Sequence, residues 1–147
     1  MKKSLLAFIV ALVLSVGFTF LSFAVRASLM VLLQSSIAES LSIDTLLGIC
    51  LSLVGLAAFF VVFYFLANHS KIKAVKSTII AILLGVTLGP AILYLLNVFL
   101  YRSQMVVYLN MAAGSALSGV FQFFLPALTA LLFVELREKK SNDNLTA

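Results

Sequence analysis

Residues 78–101 read TIIAILLGVTLGPAILYLLNVFLY, an apolar run that contains no charged side chain. About 20 helical residues cross the roughly 30 Å of hydrocarbon in a bilayer, so this run is long enough to span it. Three further apolar runs cover residues 5–25, 43–67 and 111–134, and their only charged residue is Asp44, at the start of the second run. They are expected to be helices because lipid offers no partner for unpaired backbone groups. The sequence therefore predicts an all-α integral membrane protein, with residues 1–136 forming a four-transmembrane-helix bundle.

The composition excludes an ordinary soluble domain. Apolar residues make up 63% of the chain and charged residues only 10%, whereas soluble domains have about half and about a quarter. The net charge of +5 does not indicate a nucleic-acid-binding protein, because the basic residues lie in short clusters between the apolar runs. That arrangement is typical of membrane topology. The predicted partner is thus the lipid bilayer, and no nucleic acid is expected.

The basic residues also predict the orientation. On one side of the membrane only Arg26 and Arg102 are expected, beside the acids Glu39 and Asp44. The other side holds eight of the ten basic residues: Lys2, Lys3, Lys71, Lys73, Lys76, Arg137, Lys139 and Lys140. By the positive-inside rule this second side is cytoplasmic. We therefore expect a protein of the cell (plasma) membrane with both its N-terminus and its C-terminus in the cytoplasm.

Three segments need separate interpretation. Lys2-Lys3 and Ser22-Phe23-Ala24 resemble the ends of a signal peptide, but the apolar stretch between them is longer than the usual 7–15 residues. We expect an uncleaved anchor; cleavage would leave three spans. The connection over residues 26–42 has apolar residues spaced by three and four, which fits either an extension of the first helix or an amphipathic interfacial segment. Residues 137–147 are expected to be a polar cytoplasmic tail, disordered beyond its first few residues.

Small and polar residues mark the third and fourth spans. Small residues four positions apart let another helix backbone approach closely, and a proline removes one main-chain donor. The residues of interest are Gly85, Gly89, Pro90, Gly114, Ser118, Gln122 and Pro126. They predict helix packing with interhelical hydrogen bonds of about 0.6–2 kcal/mol each. The alternative is a polar path lined by Gln122 and freed carbonyls. We favour packing because glycine, proline and serine are ordinary in membrane helices.

No residue pattern indicates catalysis, a cofactor or a metal. Cys50 and His69 are single, so a disulfide within the chain, a zinc site and an intramembrane Ser–His pair inside a span are not expected. The spans also lack the mid-membrane ionisable residue that ion-coupled transporters usually keep. Arg26 and Arg102, near the outer helix ends, are expected to extend to the interface rather than to bind an anionic group.

The functional expectation is accordingly a non-enzymatic helical bundle. It would be an accessory or assembly subunit that contacts other membrane subunits, or a homo-oligomer, and its small-residue faces would form the contacts. The alternative is a small transporter or channel for a neutral or anionic solute, lined by spans three and four.

Overall fold

A computed structural model describes residues 2–33, 37–100 and 105–145. Within these ranges, only the backbone is described for residues 26, 29–33, 37–42, 44, 97, 99–100, 105, 108 and 142–145. All regular elements of the described chain are helical, as predicted. They are α1 (Lys2–Leu33), α2 (Ile37–Ser70), α3 (Lys76–Leu100), α4 (Met105–Gly119), a π-helical turn (Val120–Phe124) and α5 (Leu125–Leu145).

Four helical segments are long and apolar enough to cross a membrane, which confirms the predicted number of spans. The fourth span combines α4, the π turn and the first part of α5. The bounds of the four segments are Lys2–Val25, Thr45–Ser70, Lys76–Leu96 and Leu109–Ser141. The charged residues of these segments lie only near their ends, so the apolar part of each segment is uninterrupted and continues as one helix across the bilayer.

The start of α1 and the second half of α5 lie at the same end of the bundle, which we call the terminal end. The Nζ of Lys3 donates a hydrogen bond to the main-chain oxygen of Lys71 over 3.1 Å. A guanidinium nitrogen of Arg137 donates to the hydroxyl of Tyr64 over 3.0 Å. The starts of α1 and α3 therefore lie beside the end of α2 and the middle of α5, as an even number of spans requires.

The fourth span changes its packing partner at the π turn. α1 packs mainly on α3; α4 also packs on α3, whereas α5 packs on α2. At the change, the Leu125 N–H donates to the carbonyl of Val120, five residues back. A π turn accommodates one extra residue, so the helix after it is rotated by roughly 100° relative to the helix before it. The rotation turns the buried face of the span from α3 toward α2.

The apolar core lies in the half of the bundle nearest the terminal end. Phe59 and Phe63 of α2, Ile82 of α3 and Leu131 of α5 are fully buried there. The Phe59 ring stacks on that of Phe123 at 4.5 Å between centroids. In the opposite half, none of the described side chains of residues 45–54 of α2 is buried. The bundle is thus closely packed at the terminal end and more open at the other end.

Two expectations outside the spans are modified by the structure. The disorder predicted for residues 137–147 is wrong for the described part, because α5 continues to Leu145. Leu, Arg, Glu and Lys all favour helix, and residues 136–141 contain no glycine or proline to end it. In the 26–42 connection, α1 continues to Leu33 and α2 already begins at Ile37. The backbone therefore follows the alternative in which the first helix extends beyond its apolar run.

Candidate functional site

The glycines of span three lie against α1. A Cβ atom built on Gly85 would stand 2.8 Å from the Cβ of Ala11 and 2.9 Å from the carbonyl oxygen of Phe8. A Cβ atom on Gly89 would overlap the Oγ of Ser15. Real Cβ atoms do not approach neighbours this closely, so only glycine allows the two backbones their observed separation.

A row of small residues on α1 faces these glycines. Ala7, Ala11 and Ser15 are four residues apart, and each has an exposed fraction of 0%. The Ser15 hydroxyl donates to the carbonyls of Leu12 at 3.0 Å and Gly85 at 3.2 Å. This half of the contact was not predicted from the sequence, although Ala-xxx-Ala-xxx-Ser has the same small-residue spacing that predicted helix packing in span three.

A second close contact joins α3 to α4. Pro90 has no N–H, so in a regular helix the carbonyl of Val86 loses its usual donor. That carbonyl oxygen lies 2.5 Å from where a Cβ on Gly119 would stand, and the Cγ of Pro90 lies 3.5 Å from the same position. Gly119 therefore covers the freed carbonyl. This carbonyl lies in a helix contact, which leaves it little room to line a polar path.

Gly114 and Ser118 point away from the other described residues. No atom of the described chain comes within 4 Å of a Cβ built on Gly114. Ser118 is exposed, and its hydroxyl donates to the carbonyl of Ser115 at 3.0 Å in its own helix. The small residues of α4 thus divide into two sets, with Gly119 turned toward α3 and the Gly114–Ser118 pair turned outward.

Gln122 lies in the π turn beside α2. Its Nε2 is 3.2 Å from the position of a Cβ on Gly55, and the Phe18 ring comes within 2.8 Å of that same position. The carboxamide is half-buried and forms no hydrogen bond with any residue that the structure describes. Pro126, which is buried, is the second residue after the π turn. The π turn and the absent side chain of Gly55 together accommodate the amide between two helices.

Most other polar groups in the spans are bonded within their own helix. The hydroxyl of Thr87 donates to the carbonyl of Leu83 at 2.9 Å, and that of Thr129 donates to the carbonyl of Leu125 at 2.8 Å. Ser52 differs, since its half-buried hydroxyl has no hydrogen-bond partner in the described part of the chain. It lies one helical turn from Gly55, on the side of α2 that faces Gln122.

Three residues named from the sequence remain, Arg26, Arg102 and Cys50. Arg102 and the side chain of Arg26 lie outside the described residues. Among the described residues, no three His, Cys, Asp or Glu side chains form a group that could hold a metal ion. Cys50 is exposed on α2.

The comparisons with known proteins do not identify a relative. No protein-family model matches the chain, and no curated protein or solved structure matches it significantly. The geometry of the helix bundle is therefore the basis for the proposed function.

Proposed function

We propose that this chain is a non-enzymatic membrane subunit that acts by assembling with further copies of itself or with other membrane proteins. The observation that carries the proposal is the outward position of Gly114 and Ser118. Gly85, Gly89 and Gly119 each allow close contact between helices within the chain. The Gly114–Ser118 pair has the same spacing but no neighbour within the described chain.

A glycine that faces lipid contributes nothing to packing. It also costs about 1 kcal/mol relative to alanine in a helix interior. A contact with a helix of another molecule would use the missing side chain of Gly114 in the way that α1 uses Gly85. The cost of a lipid-facing glycine, and the close approach that it would allow, favour an intermolecular contact on the outward face of α4.

We place the protein in the cell membrane, with the terminal end facing the cytoplasm. The orientation follows from the positive-inside rule, because eight of the ten basic residues lie on that side of the predicted spans. The contact face of α4 then lies in the outer half of the bilayer.

The test is the mass of the complex in mild detergent, together with leucine substitutions. Gly114→Leu and Ser118→Leu should each reduce the mass of the purified complex by disrupting the α4 contact. Ala113→Leu adds comparable bulk at a neighbouring exposed position on a different face, and it should leave the mass unchanged. A native chain that is strictly monomeric, or equal effects of all three substitutions, would contradict the proposal.

A second candidate function is a path for a neutral or anionic solute. The observation in its favour is the carboxamide of Gln122, which has no hydrogen bond in the described chain and lies against Gly55. The hydroxyl of Ser52, one helical turn from Gly55, is likewise without a hydrogen bond in the described chain. An unpaired amide costs about 1–3 kcal/mol when fully buried and less when half-buried, as Gln122 is, so a polar partner for this carboxamide would be favourable. A passing solute, or a polar group on a partner helix, would satisfy it.

A further inference from the structure

A cavity of about 390 Å³ lies at the terminal end, between α5 and the connection that follows α2. Its apolar lining comes from Ala67, Ile72 and Val134, whose exposed fractions are 1%, 2% and 5%. The volume falls within the roughly 300–1,000 Å³ that is usual for small-molecule sites. The cavity is well removed from Gln122 and from the outward face of α4, so neither role in the proposed function uses it.

The rim of this cavity carries charges of both signs. Lys71 and Lys73 line one part of it, and Glu135 and Glu138 line another. Glu135 is half-buried and accepts a main-chain hydrogen bond, which leaves Glu138 as the exposed carboxylate. Lys71, Lys73 and Glu138 are exposed, and none forms a salt bridge with a residue that the structure describes. Opposite charges that share a cavity without pairing leave space for a ligand that bears both charges.

The chain segment that carries the lysines is held from two sides. A carboxylate oxygen of Glu135 accepts a hydrogen bond from the backbone N–H of Ala74. The Nζ of Lys3 donates to the carbonyl of Lys71 at 3.1 Å. Lys71 itself has a φ of 46°, which reverses the chain directly after α2. These contacts keep the backbone at Lys71 and Lys73 beside the cavity, so only their side chains need to adjust to a ligand.

The position of the cavity along the spans restricts the class of ligand. It lies where the candidate spans Thr45–Ser70 and Leu109–Ser141 end. Phospholipid headgroups occupy this layer of a bilayer. An apolar floor with a charged rim also matches a phospholipid, which has a glycerol backbone and acyl chains below its charged group.

We propose that the cavity binds the headgroup of an aminophospholipid, with the phosphate at Lys71 and Lys73 and the primary ammonium at Glu138. A purely anionic headgroup would leave Glu138 unpaired next to a like charge. A quaternary ammonium would bring a positive charge but no N–H to donate to the carboxylate. A phosphate joined to a primary ammonium satisfies both parts of the rim.

The test uses the full chain, purified in detergent, with lipids of identical acyl chains added and their retention measured by native mass spectrometry. Phosphatidylethanolamine should bind about tenfold more tightly than phosphatidylcholine, because only a primary ammonium can donate a charge-assisted hydrogen bond to the Glu138 carboxylate. It should also bind more tightly than phosphatidylglycerol. Equal binding of the first two lipids, or tightest binding of phosphatidylglycerol, would overturn the proposal.

Variants test which side chains bind the ammonium group and which bind the phosphate. Glu138→Gln keeps the size and removes the charge, so it should abolish the preference for phosphatidylethanolamine over phosphatidylcholine. Lys71→Asn with Lys73→Gln should weaken all three lipids, and asparagine tolerates the left-handed backbone of Lys71. Lys76→Gln is the matched control, because Lys76 does not line the cavity.

If Lys76→Gln weakens lipid binding as much as the double variant does, the lipid is attracted by the basic surface in general. That result would overturn the proposed site. A competition experiment distinguishes a lipid site from a site for a soluble ligand. Phosphoethanolamine, which has no acyl chains, should not displace bound phosphatidylethanolamine at equal concentration. If it does, the cavity is a site for a soluble metabolite and the lipid assignment is wrong. Each variant should keep the unfolding temperature of the native chain, because the substituted side chains are exposed.

Discussion

The hydroxyl of Ser15 in α1 donates a hydrogen bond to the main-chain carbonyl of Gly85 in α3 over 3.2 Å. The carbonyl of Leu12 in α1 shares this single hydroxyl proton, so one buried hydroxyl joins two backbones. The bond is short enough to form because Gly85 and Gly89 have no side chains on that face. Side-chain size therefore determines how closely α1 and α3 approach, and the polar contact follows from that approach.

The first prediction concerns Gly89. Gly89→Ala would place a methyl group on the Ser15 hydroxyl and should destabilise the bundle by about 1–3 kcal/mol, the usual cost of overpacking. The measurement is reversible unfolding in mixed micelles. Gly17→Ala is the control, because no atom lies within 4 Å of its Cβ position, and it should be neutral or stabilising.

Leucine at Gly85 or Gly89 should be more damaging than alanine, whereas Ile82→Leu and Ile92→Leu should be mild because they conserve volume. A partial rescue of Gly89→Ala by Ser15→Gly would locate the strain between these two residues. Equal losses of stability in Gly89→Ala and Gly17→Ala would refute the contact.

The second prediction compares two glycines of α4. Gly119→Ala would bring a methyl group to 2.5 Å from the carbonyl oxygen of Val86, and a main-chain atom cannot move away as a side chain can. We expect a loss of about 1–3 kcal/mol in the free energy of unfolding. Gly114→Ala has open space around it and should raise helix stability by up to about 1 kcal/mol. Similar unfolding midpoints for the two variants would show that α3 and α4 are not in close contact there.

The third prediction separates the two candidate functions through Gln122. Gln122→Leu keeps the approximate size and removes an amide that has no hydrogen bond in the described chain, so unfolding of the isolated chain should be unchanged or harder. If Gln122 bonds a partner helix, the substitution should instead weaken the complex, by about 1 kcal/mol. If it lines a path, assembly should persist while the cellular activity is lost.

We expect the weakened complex, measured as the mass distribution in detergent on dilution. A variant with native assembly and no cellular activity would favour the transport alternative over the assembly proposal. Thr129→Leu serves as the control, since the Thr129 hydroxyl is already bonded to its own helix and the side chain is exposed.

The fourth prediction concerns orientation. In a Cys50→Ser background, which removes the exposed native thiol, a cysteine at Lys73 should resist membrane-impermeant thiol reagents in intact cells. A cysteine at Glu39 should react, because the positive-inside rule puts that side outside the cell. Permeabilised cells supply the control, in which both positions should react. Reaction of the Lys73 position in intact cells would reverse the proposed orientation.

The sequence alone determined that the chain is helical, how many times it can cross a membrane and that an even number of crossings brings its ends together. These properties follow from each segment separately, because an apolar run in lipid must satisfy its backbone hydrogen bonds internally wherever its neighbours lie. The terminal tail was mispredicted for the opposite reason. Its polarity was taken as a sign of disorder, although residues 137–140 are good helix formers and continue a helix that has already begun.

Only the tertiary structure decided which small residues meet. Gly114 and Gly119 lie in the same helix and look alike in the sequence, yet one is open and the other touches α3. The direction of a side chain depends on the rotation of its helix, and the π turn at Val120–Phe124 changes that rotation within the fourth span. Spacing shows that two backbones can approach closely, but the partner is chosen by the three-dimensional arrangement of all four spans.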